Sequence, residues 1–212
     1  MPSTTAPAEQ RVVLDNVSWK TYQHLLKDLE HCSAPRLTFD RGVLEIMSPF
    51  NEHEECNRSL SLLVEIFAEE CDIEVRDLGS TTFKREDLER GFEADSCFYI
   101  QNEERLRKKR HIDAAVDPPP DLVIEIGLTS DSINKFPIFA ALGVPEIWRY
   151  SRGRLTIFML EGGSYREQKS SLALPALTAA DLTKLLESSM SMKRTAWLRQ
   201  LRTHFRKLKP HI

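Results

Sequence analysis

Residues 122–126, LVIEI, form a nearly uninterrupted apolar run that contains one acid, Glu125. Runs of Val, Ile and Leu without alternation are typical of a central strand that is covered on both faces. A carboxylate in such a strand costs desolvation free energy unless a cation or a hydrogen-bond donor compensates it. The run therefore predicts a sheet between helices, with a compensated acid deep inside it.

A second stretch, GFEADSCFYI at 91–100, places another acid, Asp95, where an apolar strand begins. Asp121 directly precedes LVIEI, and Lys135 follows it after a short polar segment. Magnesium binds one or two carboxylates together with water and substrate phosphate, and a nearby lysine can neutralise or orient the attacked phosphate. These four residues therefore indicate a metal site on two neighbouring strands and favour hydrolysis of a phosphodiester.

The length and composition of the chain favour one ordinary globular domain. Its 212 residues can bury a full sheet between helices, and 41% hydrophobic with 29% charged residues indicates neither disorder nor a fibrous repeat. We expect a disordered lead at 1–12, the main domain at 13–190 and a basic helical extension at 191–212. A formal net charge of -3 argues against coating nucleic acid through bulk electrostatics, but leaves a local basic patch open.

The cysteines and the N-terminal residues indicate the cellular compartment in which we expect the protein. Cys32, Cys56, Cys71 and Cys97 lie far apart and form no zinc-binding cluster, so we interpret them as small buried residues with free thiols. The N-terminus lacks an export signal, and no segment approaches the roughly 20 apolar residues of a membrane span. We therefore expect a cytoplasmic protein without a membrane partner or an organic cofactor.

Hydrophobic periodicity and turn residues predict the order of the elements. Ser18 is a candidate N-cap, and residues 51–70 carry the clearest apolar helical stripe. Gly79 and Gly91 are expected in turns, and 105–120 as a surface excursion between two strands. The predicted elements are a helix from 18 to near 31, a hairpin at 36–40 and 43–47, a helix at 51–70, strands at 73–77, 80–84, 97–100 and 122–126, a helix at 138–142 ending at Gly143, a hairpin at 146–150 and 155–160, and a helix at 179–186.

Two basic segments are candidates for contact with DNA. From Lys193 to the C-terminus there are seven Lys or Arg residues and no acid. Trp197 and Phe205 on one side of this segment also fit a helix that packs onto the core or onto a second subunit. The run RLRKKR at 105–110 is the stronger candidate, because it lies between the two acid-bearing strands. A homodimer through the aromatic hairpin EIWRY/LTIFML remains a further option.

An extended backbone at 121–127 would place Asp121, Glu125 and Gly127 on one face, because a strand repeats every two residues. Nucleases of the restriction-enzyme type use two acids on adjacent strands, with a lysine on the strand of the second acid. Gly127 occupies that lysine position in this chain. Lys135, from the following helix or from the segment leading into it, could fill the empty space.

Several motifs in a fixed order resemble the Uma-two family, also catalogued as domain-of-unknown-function family 820, within the PD-(D/E)XK nuclease superfamily. They are LEIMSP followed by EH at 44–53, ADSCFYI, PDLVIEI, DSINK and FAALGVPEIWRY. The resemblance implies an α/β (mixed α+β), restriction-endonuclease-like core of αβββαβ order. Its central mixed β-sheet is expected between helices, with an N-terminal helix and hairpin and a basic C-terminal helix.

The resemblance also implies a metal site and a mechanism. It maps the two acids of the nuclease motif to Asp95 and Glu125 and the migrated lysine to Lys135. Mg²⁺ or Mn²⁺ would be held by the two carboxylates and the backbone carbonyl of Ile126, and DNA would be the substrate. Lys135 would steer the attacking water.

Three further positions enter the resemblance with less defined roles. Asp121 is the Asp of the PD dipeptide, and His53 belongs to the EH pair, for which we assign no specific role. The first acid of the family commonly follows proline, whereas Ala94 precedes Asp95 here. This departure concerns where the strand begins rather than the chemistry.

Other interpretations of the same residues stay open. Asp95 could be a surface acid at the start of a strand, Asp121 a turn residue and Glu125 the buried partner of an arginine. A nuclease-fold module without catalytic activity, binding nucleic acid or a protein partner, would keep the same motifs. A structural subunit that dimerises is the third interpretation.

Overall fold

The computed structural model of the chain describes residues 9–32, 35–127 and 133–208. Within these segments it contains two sheets flanked by helices, so the predicted mixed α/β class is confirmed. The elements are β1 (Glu9–Leu14), α1 (Trp19–Asp28), β2 (Arg36–Asp40), β3 (Val43–Pro49), α2 (Asn51–Cys71), β4 (Arg76–Gly79), β5 (Thr82–Arg85), β6 (Arg90–Glu93), β7 (Ser96–Tyr99), α3 (Glu103–Leu106), β8 (Leu122–Gly127), α4 (Phe136–Leu142), β9 (Glu146–Ser151), β10 (Arg154–Glu161), β11 (Ser164–Gln168), α5 (Ala179–Ser191) and α6 (Arg194–Arg206).

The first sheet is antiparallel and has the strand order β1-β3-β2-β6-β5. The β2/β3 pair is the hairpin predicted around Arg41 and Gly42. Helix α1 begins at the predicted cap, where the Ser18 hydroxyl accepts a hydrogen bond from the Thr21 N–H at 3.1 Å. The helix packs on the sheet through Tyr22, whose ring stacks on Phe39. This layer forms a small core of its own.

The second sheet has the order β11-β10-β9-β8-β7-β4 and contains one parallel pair, β8 with β9, among the described strands. All six residues of β8 are buried, as the apolar run predicts. Leu122, Ile124 and Ile126 face a core formed with α2, α5 and α6. Val123 faces the opposite side, towards α4. Helices therefore cover β8 on both faces.

The chain passes from the first sheet to the second between β6 and β7, at Ala94 and Asp95. Ser96 pairs with Ile124 in the antiparallel β7/β8 register, so Asp95 reaches the sheet beside Glu125. Asp95 thus lies where the two sheets meet.

Some predicted boundaries are wrong. The predicted disordered lead, residues 1–12, is wrong for its last four residues, because residues 9–12 belong to β1, which pairs with β3 along its whole length. Residues 1–8 lie outside the described segments. Gly91 is not in a turn but in β6, and the ring of Tyr22 leaves no room for a side chain at this position. Strands β6 and β11 were not predicted, and α5 continues to Ser191.

The basic C-terminal segment forms helix α6, which packs on the core. Trp197, Leu201 and Phe205 are fully buried, and the ring of Phe205 meets that of Phe67 on α2 edge to face. The packing interpretation therefore describes this helix up to Arg206. Arg202 Nη1 lies 2.7 Å from Glu69 of α2, and Arg206 Nε lies 2.7 Å from Glu70 of the same helix. Part of the positive charge of α6 is therefore paired within the fold. Lys209 lies outside the described residues.

The structure also bears on the expectations about membrane spans and about the burial of the cysteines. Across residues 9–32, 35–127 and 133–208 the structure contains no helix with the length and apolar character needed to cross a bilayer. Cys56 and Cys97 are buried as expected, whereas Cys32 is exposed and Cys71 half-buried. The interpretation of all four as buried residues is thus wrong for Cys32.

Candidate active site

Asp95 lies at the centre of a buried polar group. One side-chain oxygen, Oδ2, accepts the Ile126 N–H at 2.7 Å, and the other, Oδ1, accepts a hydrogen bond from Arg36 Nη1. His53 lies on the first turn of α2, and its Nε2 is 3.2 Å from Asp95 Oδ2. The crossing itself is anchored to α2, because Asn57 Nδ2 donates to the Asp95 carbonyl at 2.9 Å. These contacts hold the carboxylate in one orientation.

The electrostatic surroundings keep Asp95 ionised. Burial by itself would raise the pKa of this carboxyl, since a charged group loses hydration there. The close approach of the His53 ring and the positive charges of Arg36 and Lys135 act in the opposite direction and hold the pKa of Asp95 well below its usual range. Asp95 is therefore ionised in the folded protein at neutral pH.

Glu125 and Lys135 form the second part of the site. Lys135 Nζ donates to Glu125 Oε2 at 2.8 Å, and both side chains are about nine-tenths buried. Burial raises the pKa of Glu125, and the nearby charge of Asp95 raises it further, against the influence of Lys135. For Lys135, burial lowers the pKa, but Glu125 and Asp95 overcome this effect and raise it. The ammonium group thus stays charged, and the structure brings Lys135 to Glu125, on the strand where Gly127 lacks a lysine side chain.

The other side-chain oxygen of the Glu125 carboxylate, Oε1, is buried and has no hydrogen-bond partner among the described residues. An unpaired buried carboxylate oxygen is costly, so it marks a position for a water molecule or a cation. No group of three His, Cys, Asp or Glu side chains within the described segments could hold a metal ion. Magnesium commonly takes only one or two carboxylates and keeps several waters, so the pair Asp95 and Glu125 fits it.

Sequence reasoning missed the role of Arg36. Its guanidinium contacts Asp95 and also donates to Glu54 Oε1 at 2.5 Å, so it joins a strand of the first sheet to the start of α2. Glu54 thereby joins this polar group, and its Oε1 lies 3.8 Å from His53 Nδ1. The available signal was an arginine opening the buried strand RLTFD, because a buried arginine needs an acidic partner.

Asp121 does not lie with Asp95, Glu125 and Lys135. Its Oδ2 accepts hydrogen bonds from the N–H groups of Ile100 (2.7 Å) and Asn102 (3.0 Å), and its Oδ1 accepts one from Asn102 Nδ2 (2.6 Å). Asp121 and Glu125 stand four positions apart along an extended strand, which corresponds to about 13 Å. The contacts of Asp121 organise the chain after β7.

The basic run at 105–110 makes its contacts away from Glu125. Arg107 pairs with Glu103 at 2.7 Å, and Lys109 pairs with the buried Asp117. Arg76 of β4 donates to the carbonyl of Leu106. None of the six residues lines the cleft at Glu125. This segment therefore lies against β4, and its contact with DNA stays a prediction.

Two sheets flanked by helices, with two acids and a lysine where the sheets meet, define a protein of the restriction-endonuclease-like class. A family model, Uma2, described as "Putative restriction endonuclease", matches residues 19–192. The chain belongs to this family, and the resemblance noted in its motifs is confirmed.

Comparison with solved structures supports the same fold. The chain is similar to a protein from Anabaena variabilis ATCC 29413, described as "a putative nuclease belonging to DUF820". The TM-score is 0.52 at 12% sequence identity, and the match covers 80% of this chain and 99% of that chain. At this identity the likeness shows the fold alone. No curated protein matches the chain.

Proposed function

We propose that the protein is a metal-dependent endonuclease that hydrolyses DNA phosphodiester bonds, with Mg²⁺ or Mn²⁺ as its cofactor. The observation that carries the proposal is the buried Oε1 of Glu125, which has no hydrogen-bond partner within the described segments and lies beside Lys135, where the charge of Asp95 also acts on Glu125. Membership in a family described as putative restriction endonucleases supports the same class of reaction.

In the proposed site, Asp95 and Glu125 hold the ion together with the Ile126 carbonyl. A bound divalent ion acidifies water and offsets charge that develops on the phosphate. The Arg36 guanidinium, the His53 ring and the Ile126 N–H keep Asp95 ionised and oriented. Because these groups belong to the fold, the position of the carboxylate does not depend on the ion.

Lys135 performs the second task. Its ammonium group stays charged beside Glu125 and can donate a hydrogen bond to the attacking water or to a phosphate oxygen. We propose a positioning role for His53, which contacts Asp95 rather than the cleft at Glu125. For Asp121 we now propose a structural role in place of a catalytic one, because its two oxygens bind the segment 100–102.

A second candidate function is a nuclease-fold module without catalytic activity. The specific observation in its favour is Arg36, which spans Asp95 and Glu54 as a cation and so already satisfies acceptors that a metal ion would use. In this alternative the polar group stabilises the meeting of the two sheets, and the protein binds nucleic acid or a protein partner without cleaving a bond.

A cleavage assay tests the proposal. Purified protein is incubated with supercoiled plasmid, short DNA duplexes and RNA of the same sequence, with Mg²⁺, Mn²⁺ or EDTA. We expect metal-dependent cleavage of DNA and its loss in Glu125→Gln, Asp95→Asn and Lys135→Met, by at least about a hundredfold. Glu161→Gln, an exposed acid on β10, is the matched control and should keep full activity.

Circular dichroism separates lost chemistry from lost folding in these variants. Cleavage by a folded Glu125→Gln protein at the wild-type rate would overturn the assignment of the site. A wild-type protein that binds DNA but cleaves none of the substrates with either metal would favour the module without catalytic activity.

A further inference from the structure

Strand β1 forms one outer edge of the first sheet. Within the described segments it pairs with β3 on one side, over six consecutive residue pairs without a shift in register. Three consecutive apolar side chains of this strand are exposed, with 53% of Val12, 39% of Val13 and 43% of Leu14 open to solvent. A regular edge strand with exposed apolar side chains is a ready template for a further strand.

The other three edges of the described sheets carry features that oppose such pairing. Strand β4 has four residues and a register shift after Asp77, and β5, also of four residues, exposes Lys84. Strand β11 exposes Arg166. Short length, bulges and charged side chains are the usual protection of an edge. Residues 12–14 of β1 carry no charge, so among the described edges β1 is the one open to a partner.

The exposed side chains of β1 continue an apolar surface that the fold already buries. Val12 and Leu14 are the register partners of Ile46 and Leu44 on β3, which pack in the small core under α1. Val13, between them, points to the opposite face of the sheet. A strand added beside β1 would therefore extend this core and cover apolar area on both faces.

A second copy of the same strand fits this edge through twofold symmetry. In antiparallel pairing the axis stands normal to the sheet and passes through one residue, which lies opposite its own copy, because opposite residues point to the same face. An axis at Arg11 would oppose two guanidinium groups, and an axis at Val12 would set Leu14 opposite Gln10. An axis at Val13 sets Val12 opposite Leu14 of the second copy, so all three exposed apolar residues are matched.

The charges near the end of the strand agree with the axis at Val13. Arg11 then lies opposite Asp15 of the second copy, an exposed acid that directly follows β1. The Arg11 guanidinium donates to Glu45 at 3.2 Å, and its five N–H groups let it keep this contact while it faces a second acid. Opposite charges across a strand pair stabilise it, whereas like charges destabilise it. One short strand is thus complementary to itself in apolar contacts and in charge.

We propose that two copies of this chain associate through β1, antiparallel and about a twofold axis at Val13, so that their first sheets join into one. The strands of the aromatic hairpin, β9 and β10, are each paired on both sides and offer no such edge. Arg11 lines the cleft at Glu125, and an axis normal to the sheet preserves its faces, so both clefts lie on the same face of the joined sheet. The seam forms whether or not the protein cleaves DNA.

Sedimentation equilibrium over a range of protein concentrations tests this inference. A seam of one short strand is at the small end of protein interfaces, so the wild type should pass with concentration from the mass of one chain to twice that mass. Val13→Lys places two ammonium groups opposite each other and should raise the dissociation constant at least about tenfold. Val116→Lys is the matched control, since Val116 is 67% exposed on the segment before β8, and it should associate as the wild type does.

Oxidative crosslinking tests the register. In a Cys32→Ser background, which removes the exposed thiol, Val13→Cys should form a disulfide-linked dimer, because directly opposite Cβ atoms lie about 4.5–5.5 Å apart. Val12→Cys should not, since the two copies of residue 12 would be diagonal neighbours about 7–8 Å apart. Non-reducing electrophoresis measures the linked fraction, and Val116→Cys gives the background.

Circular dichroism and thermal melting show whether each variant is folded. Association that is lost in Val13→Lys, kept in Val116→Lys and trapped by Val13→Cys supports the seam. A wild type that stays monomeric up to about 1 mM would overturn the inference. A folded Val13→Lys protein that associates as the wild type does would overturn it too, because the copies would then meet elsewhere. Crosslinking of Val12→Cys in preference to Val13→Cys would contradict the axis at Val13.

Discussion

Arg36 and Asp95 illustrate how single residues maintain the site. Both are buried, and each would be costly alone, since an unpaired buried charge loses its hydration without compensation. Together with Glu54 and His53 they form a group in which each charge has an oppositely charged or hydrogen-bonding neighbour. The same group keeps Asp95 ionised, which its proposed role as a metal ligand requires.

The depressed pKa of Asp95 predicts a specific dependence of stability on acid. The unfolded chain binds a proton at Asp95 near the ordinary value of 3.8, whereas the folded protein does not. Stability is therefore fully present above that pH and falls as the pH drops below it. In EDTA, the free energy of unfolding of wild type should decline with falling pH more steeply than that of Asp95→Asn, by up to about 1.4 kcal/mol per pH unit. Urea unfolding below pH 4 measures this; equal slopes would contradict it.

At the scale of elements, the crossing from β6 to β7 depends on how α1 packs against the first sheet. Tyr22 of α1 is fully buried over β6, and its hydroxyl has no hydrogen-bond partner in the described residues. Gly91 allows this close approach, since a Cβ at that position would lie 2.3 Å from the Tyr22 Oη. This close packing of α1 lies on the strand that leads to Asp95, four residues before it.

Gly91→Ala should therefore lower the free energy of unfolding by about 1–3 kcal/mol, because the added methyl group forces a buried ring or a strand to move. Chemical denaturation measures the loss. The double variant Gly91→Ala, Tyr22→Phe removes the atom nearest to the new methyl group and should recover part of it. Tyr22→Phe alone is the control. A Gly91→Ala protein as stable as wild type would show that β6 shifts without cost.

At the scale of the whole molecule, the site joins five parts of the chain. Its residues come from the first sheet (Arg36), from α2 (His53 and Glu54), from the crossing between the sheets (Asp95), from the centre of the second sheet (Glu125) and from the residue before α4 (Lys135). These residues come together only in the folded protein, so a ligand that binds them binds the folded state and stabilises it by mass action. Dimerisation stays a prediction at this scale, which light scattering tests.

Addition of Mg²⁺ or Mn²⁺ to the metal-free protein should raise its melting temperature if the site holds the ion. At about a hundredfold excess over Kd the expected stabilisation is about 2.7 kcal/mol. The increase should disappear in Glu125→Gln and persist in Glu161→Gln, where the altered acid is exposed on β10. Differential scanning calorimetry measures the shift, independently of any cleavage. The same increase in Glu125→Gln as in wild type would place the ion elsewhere.

The sequence by itself determined the parts whose signal is local. LVIEI was recognisable as a buried central strand, 51–70 as an amphipathic helix and Ser18 as a cap, because periodicity and capping act over a few residues. Lys135 was a candidate to fill the gap at Gly127, and the structure brings its ammonium group to Glu125.

Only the tertiary structure decided which distant residues meet. Arg36 reaches Asp95, Arg149 lies beside Glu125, and Asp121 turns to the segment after β7. These outcomes depend on strand order, register and the close approach of Tyr22 to Gly91, which join residues far apart in the chain. Local patterns carry no information on such pairings, because the free energy of a buried charge depends on the groups that folding brings to it.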